Sequence, residues 1–375
     1  MHKKIKYMKL CCVFNYNPLY RFPIYKAMDD CFHPDFYFGN TVFQPLKQFE
    51  ATKLSGFKKY IKAKKCFRGK FIKYSDTSDI FCKEYTHYLI TGNNASLLNW
   101  EILLYSKLTG KKVYMWCHGE HDYVTKNILR LFKRVFYGLA TGLLVYQEYS
   151  EPYMKELGVD LSKINYIHNS LDTYTQNAIF KSIKPSLIFK EHFQNDAPTV
   201  IYIGRIQRVK RVGQIIEALE LLYSKNKIIN LVFVGQNVDY PEFDDIVNSS
   251  TISNNIWVYG PCFDEKKNAE LLYNSHVLVS PGNVGLSCIH SLSYGTPVIT
   301  NDNLCTQMPE HGAIIDGVTG SFFKENDIED LAHKIWKWIS KSDSDREKTR
   351  DIARLTIKES WSVDYQIKLL KTILK

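Results

Sequence analysis

A chain of 375 residues in which 45% of the side chains are hydrophobic has the length and composition of a globular protein with two domains. Its net charge of +10 is unevenly placed, because residues 1–200 carry 29 Lys and Arg against 17 Asp and Glu while the remainder is close to neutral. A basic first half favours contact with an anionic surface, and a solvated lysine-rich face is the simpler alternative.

The cysteines and apolar runs exclude several classes of protein. The nine cysteines form no Cys-x-x-Cys pair, so zinc spacing and a redox motif are both absent. No apolar run reaches the roughly 18 residues that a membrane-spanning helix needs. Residues 1–14 imitate a signal peptide, but the sequence NYNP then breaks the run and no small-residue cleavage site follows. We expect a cytoplasmic protein, and any contact with the membrane is expected to be peripheral, at its inner face.

The first half alternates apolar runs rich in β-formers with helical patterns, which is typical of an α/β domain. The candidate strands are residues 9–16, 35–40, 87–93, 112–119, 142–147 and 164–170. Helical patterns are clearest at 96–108 and 126–138. Residues 171–198 lose the alternation, and we interpret them as a connection.

The second half repeats this alternation more regularly. Its candidate strands are residues 199–205, 229–235, 255–260, 276–281 and 296–300. Short continuous apolar strands separated by helices predict a doubly wound parallel sheet that binds its ligand beyond the carboxyl ends of the strands. We therefore predict two Rossmann-like domains facing a cleft, with the ligand in that cleft. The predicted domains are residues 1–180 and residues 181–356, with a C-terminal helix at about 357–375 packing back on the first.

Two cations follow the strand at 199–205. Gly204 and Arg205 end the strand, and Lys210 stands before the next helix, so both cations are expected at the carboxyl edge of the sheet. An Arg and a Lys there can stabilise a departing diphosphate without a metal ion. The alternative is a solvent-facing basic turn.

A glycine-bearing turn follows the strand at 276–281. Gly282 and Gly285 permit close approach of the backbone, and the amides of Gly285, Leu286 and Ser287 are expected to open a helix. Such amides, together with the helix dipole, form a binding site for phosphate.

The first half offers one candidate at a strand end. His118 follows the strand at 112–119, where it is placed to bond a sugar hydroxyl or a phosphate oxygen. A structural histidine bonded to a backbone carbonyl is the alternative.

Together these residues resemble the C-terminal domain of retaining family-4 glycosyltransferases of the GT-B fold. The motifs that carry the resemblance are Gly204-Arg205, Lys210, PGNVGL (281–286), SYGTPVIT (293–300) and PEHGAIIDGVTGSFF (309–323). The resemblance is strong over residues 199–340. It is weaker over the first half, where it rests on the strand pattern, WCHG and IHNSLD.

The resemblance implies roles for individual residues. Arg205 and Lys210 are expected to hold the diphosphate, and His118 to touch the donor sugar. The implied donor-binding residues are Gly204, Gly282, Asn283, Val284, Gly285, Leu286 and His290. The family also carries two glutamates that grip the donor sugar and the ribose, and their aligned positions here are Gly282 and His290. A contact to the sugar is then left to the backbone or Asn283, and His290 is expected to bond the ribose.

Three further segments are candidates for contact with an acceptor or with a membrane. In the loop at 15–23, Tyr20 and Arg21 are candidates for holding an acceptor phosphate, and the alternative is that they simply begin a helix. Residues 51–75 carry eight Lys and one Arg with no acid, and residues 126–137 form a basic amphipathic pattern, for which a core-facing helix with a solvated charged edge is the alternative. Both segments match an anionic lipid surface. No RNA-binding motif accompanies them, so no nucleic-acid partner is expected.

The resemblance implies a retaining glycosyltransferase that moves a sugar from a nucleotide-diphosphate donor to a hydroxyl acceptor, and the basic first half suggests a glycan or polyprenyl-linked acceptor, as in surface polysaccharide biosynthesis. We expect no cofactor and no metal requirement, because no metal-ligand spacing is evident and the cationic pair can offset the diphosphate charge. Two alternatives remain open at this point. One is a sugar-nucleotide epimerase on the same fold, and the other is a sugar-nucleotide-binding protein that has lost catalysis, which the two missing acids make conceivable.

Overall fold

Two sheets organise the chain, one in each of two units. The computed structural model describes residues 8–40, 47–123 and 126–375. Contacts divide the chain into unit 1, which comprises Met1–His168 and Val363–Lys375, and unit 2, which comprises Asn169–Ser362. Residues 1–7, the first part of the segment compared with a signal peptide, lie outside the described residues.

Unit 1 is built on an eight-stranded sheet. Its strands are β1 (Leu10–Phe14), β2 (Asp35–Gly39), β3 (Phe57–Cys66), β4 (Phe71–Ser75), β5 (His87–Thr91), β6 (Lys112–Cys117), β7 (Gly142–Val145) and β8 (Ile164–Tyr166). Its helices are α1 (Phe22–Phe32), α2 (Leu97–Thr109), α3 (Asn127–Leu139), α4 (Glu151–Glu156) and the last helix of the chain, Val363–Ile373. The strand order is β4-β3-β2-β1-β5-β6-β7-β8, and among these described strands only the neighbours β3 and β4 pair antiparallel.

The central strand β1 shows why the sheet is buried on both faces. Its sequence LCCVF is apolar at every position, and all five residues are buried. Cys11 and Val13 pack into one apolar cluster, whereas Leu10, Cys12 and Phe14 pack into another on the opposite face. Alternate side chains of a strand point to opposite faces, so a strand covered by helices on both sides needs a continuous apolar run.

Unit 2 is built on a six-stranded parallel sheet. Its strands are β9 (Thr199–Ile203), β10 (Asn230–Val234), β11 (Ile256–Gly260), β12 (Val277–Ser280), β13 (Val298–Asn301) and β14 (Gly320–Phe323). Its helices are α5 (Thr173–Phe180), α6 (Ile188–Phe193), α7 (Gly213–Tyr223), α8 (Phe243–Ser249), α9 (Glu265–Asn274), α10 (Leu286–Ser293), α11 (Ile328–Ile339) and α12 (Asp343–Ser360). The order β11-β10-β9-β12-β13-β14 reverses direction next to β9 and β12, which is where a doubly wound sheet binds its ligand.

The boundary between the units differs from the predicted boundary at residue 180. Helix α5 lies in unit 2, where it packs against α9 and α10. Arg354 of α12 places its guanidinium 3.4 Å from the ring centroid of Phe180 and bonds Asn177 at 3.3 Å. These contacts attach residues 169–180 to the second unit, although their sequence shows no strand–helix alternation.

The C-terminal helix Val363–Ile373, now α13, belongs to unit 1 and packs against α1. The hydroxyl of Tyr365 donates to the carbonyl of Tyr166 at 2.7 Å, and that of Tyr114 donates to the carbonyl of Ile373 at 2.6 Å. The preceding helix α12 ends at Ser360, so the predicted segment 357–375 is divided between the two units.

The predicted strands of both halves are confirmed, and three strands were not predicted. These are the lysine-rich pair β3 and β4 and the short edge strand β14. In the described part of the chain, no helix has both the length and the apolar character needed to cross a bilayer.

Candidate functional site

The carboxyl edge of the unit 2 sheet brings together the loop after β9 and the turn after β12. The amide of Gly282 donates to the carbonyl of Lys210 at 2.9 Å, which joins the two segments. The ammonium of Lys210 donates to the backbone carbonyl of Asn283 at 2.7 Å and to its Oδ1 at 2.6 Å. The predicted cation therefore lies against the turn that leads into α10.

The charge of Lys210 is tuned by its surroundings. Burial and, to a smaller extent, the nearby Arg205 lower the pKa of Lys210 to about 8, against the opposite influence of Glu310. Lysine with a pKa near 8 is still mainly protonated at pH 7, and a partly desolvated ammonium interacts more strongly with phosphate oxygens than one in bulk water.

The backbone of the turn is held in one shape by side chains from β13 and the segment that follows it. Nδ2 of Asn301 donates to the carbonyls of Pro281 and Gly282 at 2.7 and 2.8 Å. Oε1 of Gln307 accepts from the amide of Val284 at 2.8 Å, and its Nε2 donates to the carbonyl of Gly282 at 3.2 Å. Helix α10 begins at Leu286 after Gly285, so the helix end that follows the turn is held in a fixed place, and among the described residues no side chain caps its N-terminus.

Gly282, where the resemblance leads one to expect an acid, has no room for a side chain. A Cβ at this position would lie against the carbonyl oxygen of Val209 and 2.7 Å from Cα of Lys210. Both are backbone atoms that cannot rotate away. The close approach that fixes Lys210 beside the turn therefore requires glycine at 282.

A carboxylate that the sequence analysis did not single out lies near this turn. Glu310 is 3% exposed and accepts a hydrogen bond from Nδ2 of Asn169 at 2.8 Å. Its charge raises the pKa of both Lys210 and Cys288, although burial is the larger influence on each. Glu310 belongs to the motif PEHGAIIDG, which carries part of the resemblance.

His290 has a carboxylate partner that the sequence did not reveal. Its Nε2 donates to Oε1 of Glu265 at 3.0 Å, and the hydroxyl of Tyr294 donates to the same oxygen at 2.8 Å. Glu265 lies in the first turn of α9, 25 residues earlier in the chain. At position 290, where the family has its second glutamate, the histidine is thus paired with an acid from a neighbouring helix.

Unit 1 has its own pocket of about 380 Å³ at the carboxyl ends of its strands. Tyr20, Arg21 and His118, all predicted from sequence, line this pocket together with Trp116 and Tyr146. The guanidinium of Arg21 lies 5.0 Å from the ring centroid of Trp116 and 5.5 Å from that of Tyr146. Its Nε donates to the hydroxyl of Tyr20 at 3.3 Å.

Arg21 brings a positive charge to this pocket. Among the described residues, no carboxylate forms an ion pair with Arg21 within 4.0 Å. Arg21 ends a short 3-10 helix before α1, so it both begins a helix and lines the pocket. A guanidinium stacked on aromatic rings suits a ligand that combines sugar rings with an anionic group.

His118 stands in the same pocket with its ring centroid 4.7 Å from that of Tyr146. Its pKa lies below the ordinary value, because neighbouring protein atoms displace water from the ring and because His121 and Arg21 oppose a second charge. A neutral imidazole can donate one hydrogen bond and accept another, which suits contact with hydroxyls.

Glu120, a further residue of this pocket, was not predicted. Its carboxylate accepts from the ammonium of Lys133 at 2.6 Å and from the hydroxyl of Tyr137 at 3.0 Å. Lys133 and Tyr137 lie on α3, so Glu120 ties the loop after β6 to that helix. Across the residues that the structure describes, no three His, Cys, Asp or Glu side chains cluster in a way that could hold a metal ion.

The two segments predicted to meet a membrane are neighbours within unit 1. Residues 57–75 form the β3–β4 hairpin, and Phe71 of β4 contacts Phe132 of α3 with ring centroids 6.4 Å apart. At the turn of the hairpin Phe67 is 69% exposed, and on α3 Ile128 is 88% exposed. Apolar side chains among lysines thus form an exposed surface on unit 1.

Part of the chain is similar to a known protein family. Residues 184–356 match the family model described as glycosyl transferases group 1. No curated protein matches the sequence closely enough to count as a relative.

Solved structures share the fold over nearly the whole chain. A glycosyltransferase from Rickettsia africae ESF-5 has a TM-score of 0.72 at 15% identity, covering 98% of both chains. HepE from Anabaena in complex with UDP has a TM-score of 0.70 at 13% identity, covering 98% of this chain and 99% of that one. The lipopolysaccharide outer core galactosyltransferase WaaB has a TM-score of 0.68 at 15% identity, covering 97% and 98%. The predicted GT-B class, with two Rossmann-like units, is confirmed.

Proposed function

We propose that the chain transfers a sugar from a nucleoside-diphosphate donor to a hydroxyl acceptor with retention of configuration, since residues 184–356 match the family model described as glycosyl transferases group 1. The acceptor we propose is a glycan or a polyprenyl-linked oligosaccharide in the assembly of a surface polysaccharide. HepE, a structure of the same fold, is described in complex with UDP and with UDP-glucose, which supports a sugar nucleotide as donor.

The observation that carries the proposal is the fixed position of Lys210 beside the turn before α10. Its ammonium is bonded to Asn283, next to the helix end whose amides follow Gly285. Arg205 lies in the same loop after β9. A departing nucleoside diphosphate gains negative charge as the sugar–oxygen bond breaks, and preorganised cations and amides stabilise that charge. This assignment requires no metal ion.

The remaining residues take supporting roles in the same proposal. The backbone of residues 282–286 holds the distal phosphate. Gly204 lets the loop after β9 come close to the donor, and His290 is on the side of the nucleoside. His118 contacts the donor sugar as a neutral imidazole. The departing phosphate accepts the proton of the acceptor hydroxyl, so the transfer needs no carboxylate nucleophile.

We assign the acceptor to the pocket of unit 1. Tyr20, Trp116 and Tyr146 offer aromatic faces to sugar rings, and Arg21 offers a guanidinium to a phosphate or a uronate. A polyprenyl diphosphate would also bring the protein to the inner face of the membrane, where the exposed apolar and basic residues of unit 1 fit a layer of anionic headgroups.

The proposed activity can be tested without knowing the acceptor. UDP, GDP or ADP should raise the melting temperature, and the matching sugar nucleotide should be slowly hydrolysed to a sugar whose first-formed anomer, followed by NMR, keeps the donor configuration. Water then serves as a poor acceptor. Hydrolysis should continue in EDTA.

Each alternative has its own result in that experiment. An epimerase would yield the epimeric sugar, and a binding protein would be stabilised by ligand without any turnover. Inverted product would contradict the retaining mechanism. Loss of activity in EDTA with recovery on adding magnesium or manganese would contradict metal independence.

Membrane association is expected to depend on α3. The wild-type protein should sediment with vesicles containing phosphatidylserine at low salt and be released at high salt, because each Lys or Arg near the surface contributes about 1 kcal/mol. Replacing Ile128 and Leu131, which are 88% and 63% exposed, by Glu should abolish sedimentation. Leu108→Glu on α2, equally exposed, is the control. Equal binding to neutral vesicles, or equal loss in the control, would contradict this assignment.

A further inference from the structure

Glu265 is held at the first turn of α9 by two residues of α10. Oε1 of Glu265 accepts from Nε2 of His290 at 3.0 Å and from the hydroxyl of Tyr294 at 2.8 Å. Tyr294 is fully buried, whereas the side chain of Glu265 is 32% exposed. The carboxylate is thus anchored from its protein side and remains open to a ligand on the other.

The carboxylate is ionised at neutral pH. Burial by itself raises the pKa of Glu265, but hydrogen bonds from His290, Tyr294 and Gln176 bring the pKa below its ordinary value. A carboxylate offers two oxygens with about four lone-pair sites; the bonds from His290 and Tyr294 both go to Oε1, and Gln176 is a third donor, so these three bonds do not fill the carboxylate. An ionised carboxylate can therefore still accept hydroxyl donors.

The position of His290 along α10 shows where its partner Glu265 lies relative to the phosphate-binding turn. His290 lies five residues after Gly285, which corresponds to about 7.5 Å along a helix. Both α9 and α10 follow strands of one parallel sheet, so both begin at its carboxyl edge. A nucleoside diphosphate whose distal phosphate sits at the turn therefore has its ribose at the level of His290 and Glu265.

We propose that Glu265 is the residue that binds the ribose hydroxyls of the donor, and that His290 is a positioning residue that acts through it. The inference rests on the proposed function, since it presumes a nucleoside-diphosphate donor. A carboxylate accepts hydrogen bonds from both hydroxyls of a cis diol, which one imidazole nitrogen cannot do. The acid absent from position 290 is on this view supplied by another helix.

The test compares UDP with 2′,3′-dideoxy-UDP by calorimetry. Wild-type protein should bind UDP more tightly by about tenfold or more, since hydrogen bonds to a charged group are the stronger kind. Glu265→Gln should lose most of this preference, and His290→Ala should lose part of it. Glu270→Gln is the matched control, because Glu270 lies on the same helix in an ion pair with Lys267.

Inorganic pyrophosphate serves as the probe of the phosphate end. It should bind the wild type and all three variants equally, which also shows that the variants are folded. Equal affinity of the wild type for UDP and 2′,3′-dideoxy-UDP would overturn the inference. A Glu265→Gln protein that keeps the full preference for UDP would overturn it as well. Absence of binding by UDP, GDP and ADP alike would instead overturn the proposed function on which the inference rests.

Discussion

Replacing Lys210 by Ala should slow sugar transfer by about 10²–10³-fold while donor affinity falls much less. The ammonium is fixed beside the turn by Asn283, so it is already in place when charge develops on the leaving diphosphate. Removing one preorganised donor of this kind raises the barrier by about 2.7–4 kcal/mol. Turnover and donor affinity of the purified variant, measured separately, distinguish this effect from a general loss of binding.

Arg208→Ala is the control for that substitution. Arg208 lies in the same short segment but forms an exposed ion pair with Glu242, so its loss should leave turnover nearly unchanged. A Lys210→Ala protein that turns over at the wild-type rate would contradict the role in leaving-group stabilisation.

The pH profile supplies an independent readout of the same lysine. The pKa of Lys210 is lowered to about 8, so the cation is lost as the pH rises through 8, and kcat/KM should fall there. Glu310 raises the pKa of Lys210, and Glu310→Gln should therefore move the fall to lower pH. The Lys210→Ala variant should lack this alkaline fall. An identical fall in that variant would assign it to another group.

The sequence was sufficient to predict those features of unit 2 that lie close together in the chain. Strands β9–β13 are continuous apolar runs, because a sheet covered on both faces leaves no position for alternation. The cations after β9 and the glycine turn after β12 follow from the rule that parallel strands present their carboxyl ends at one edge. These features need only the local pattern and the topology.

The roles of the acids of the site could not be predicted, because packing sets their contacts. Glu310 lies within the motif PEHGAIIDG, but its partner Asn169 lies 141 residues earlier in the sequence, so the motif alone does not reveal the contact. Glu265 meets His290 across two helices, and nothing in the sequence of α9 distinguishes it from an exposed acid near a helix start, where acids are common. Sequence motifs alone therefore could not show which residues replace the two missing glutamates.

A related cause explains why strands β3 and β4 could not be predicted from the sequence. Strand β3 has the sequence FKKYIKAKKC, and only Ile61 is buried within it. Strand β4 forms the edge of the sheet and pairs Lys73 with Lys64 of β3. Lysines on edge strands discourage pairing with other chains, so the apolar signal that identifies a strand is absent where the sheet meets solvent.

Restoring the acid at position 282 should damage the protein. A Cβ there meets the carbonyl oxygen of Val209 and comes within 2.7 Å of Cα of Lys210, so Gly282→Ala must displace one backbone segment from the other. Overpacking of this kind costs about 1–3 kcal/mol or more, and it also separates Lys210 from Asn283. Gly282→Glu should therefore melt at a lower temperature and lose pyrophosphate binding as well as turnover.

Gly285→Ala is the appropriate comparison for the substitutions at 282. Its Cβ would approach the side chain of Met308 no closer than 3.8 Å, which is ordinary van der Waals contact. This variant should keep its melting temperature and its affinity for pyrophosphate. A Gly282→Glu protein with wild-type stability and tighter donor binding would show that the turn has room for the acid. The expected loss would mean that close contact between residues 209–210 and 282, which fixes the cation, excludes the glutamate, so that any carboxylate serving this site must come from elsewhere in the fold.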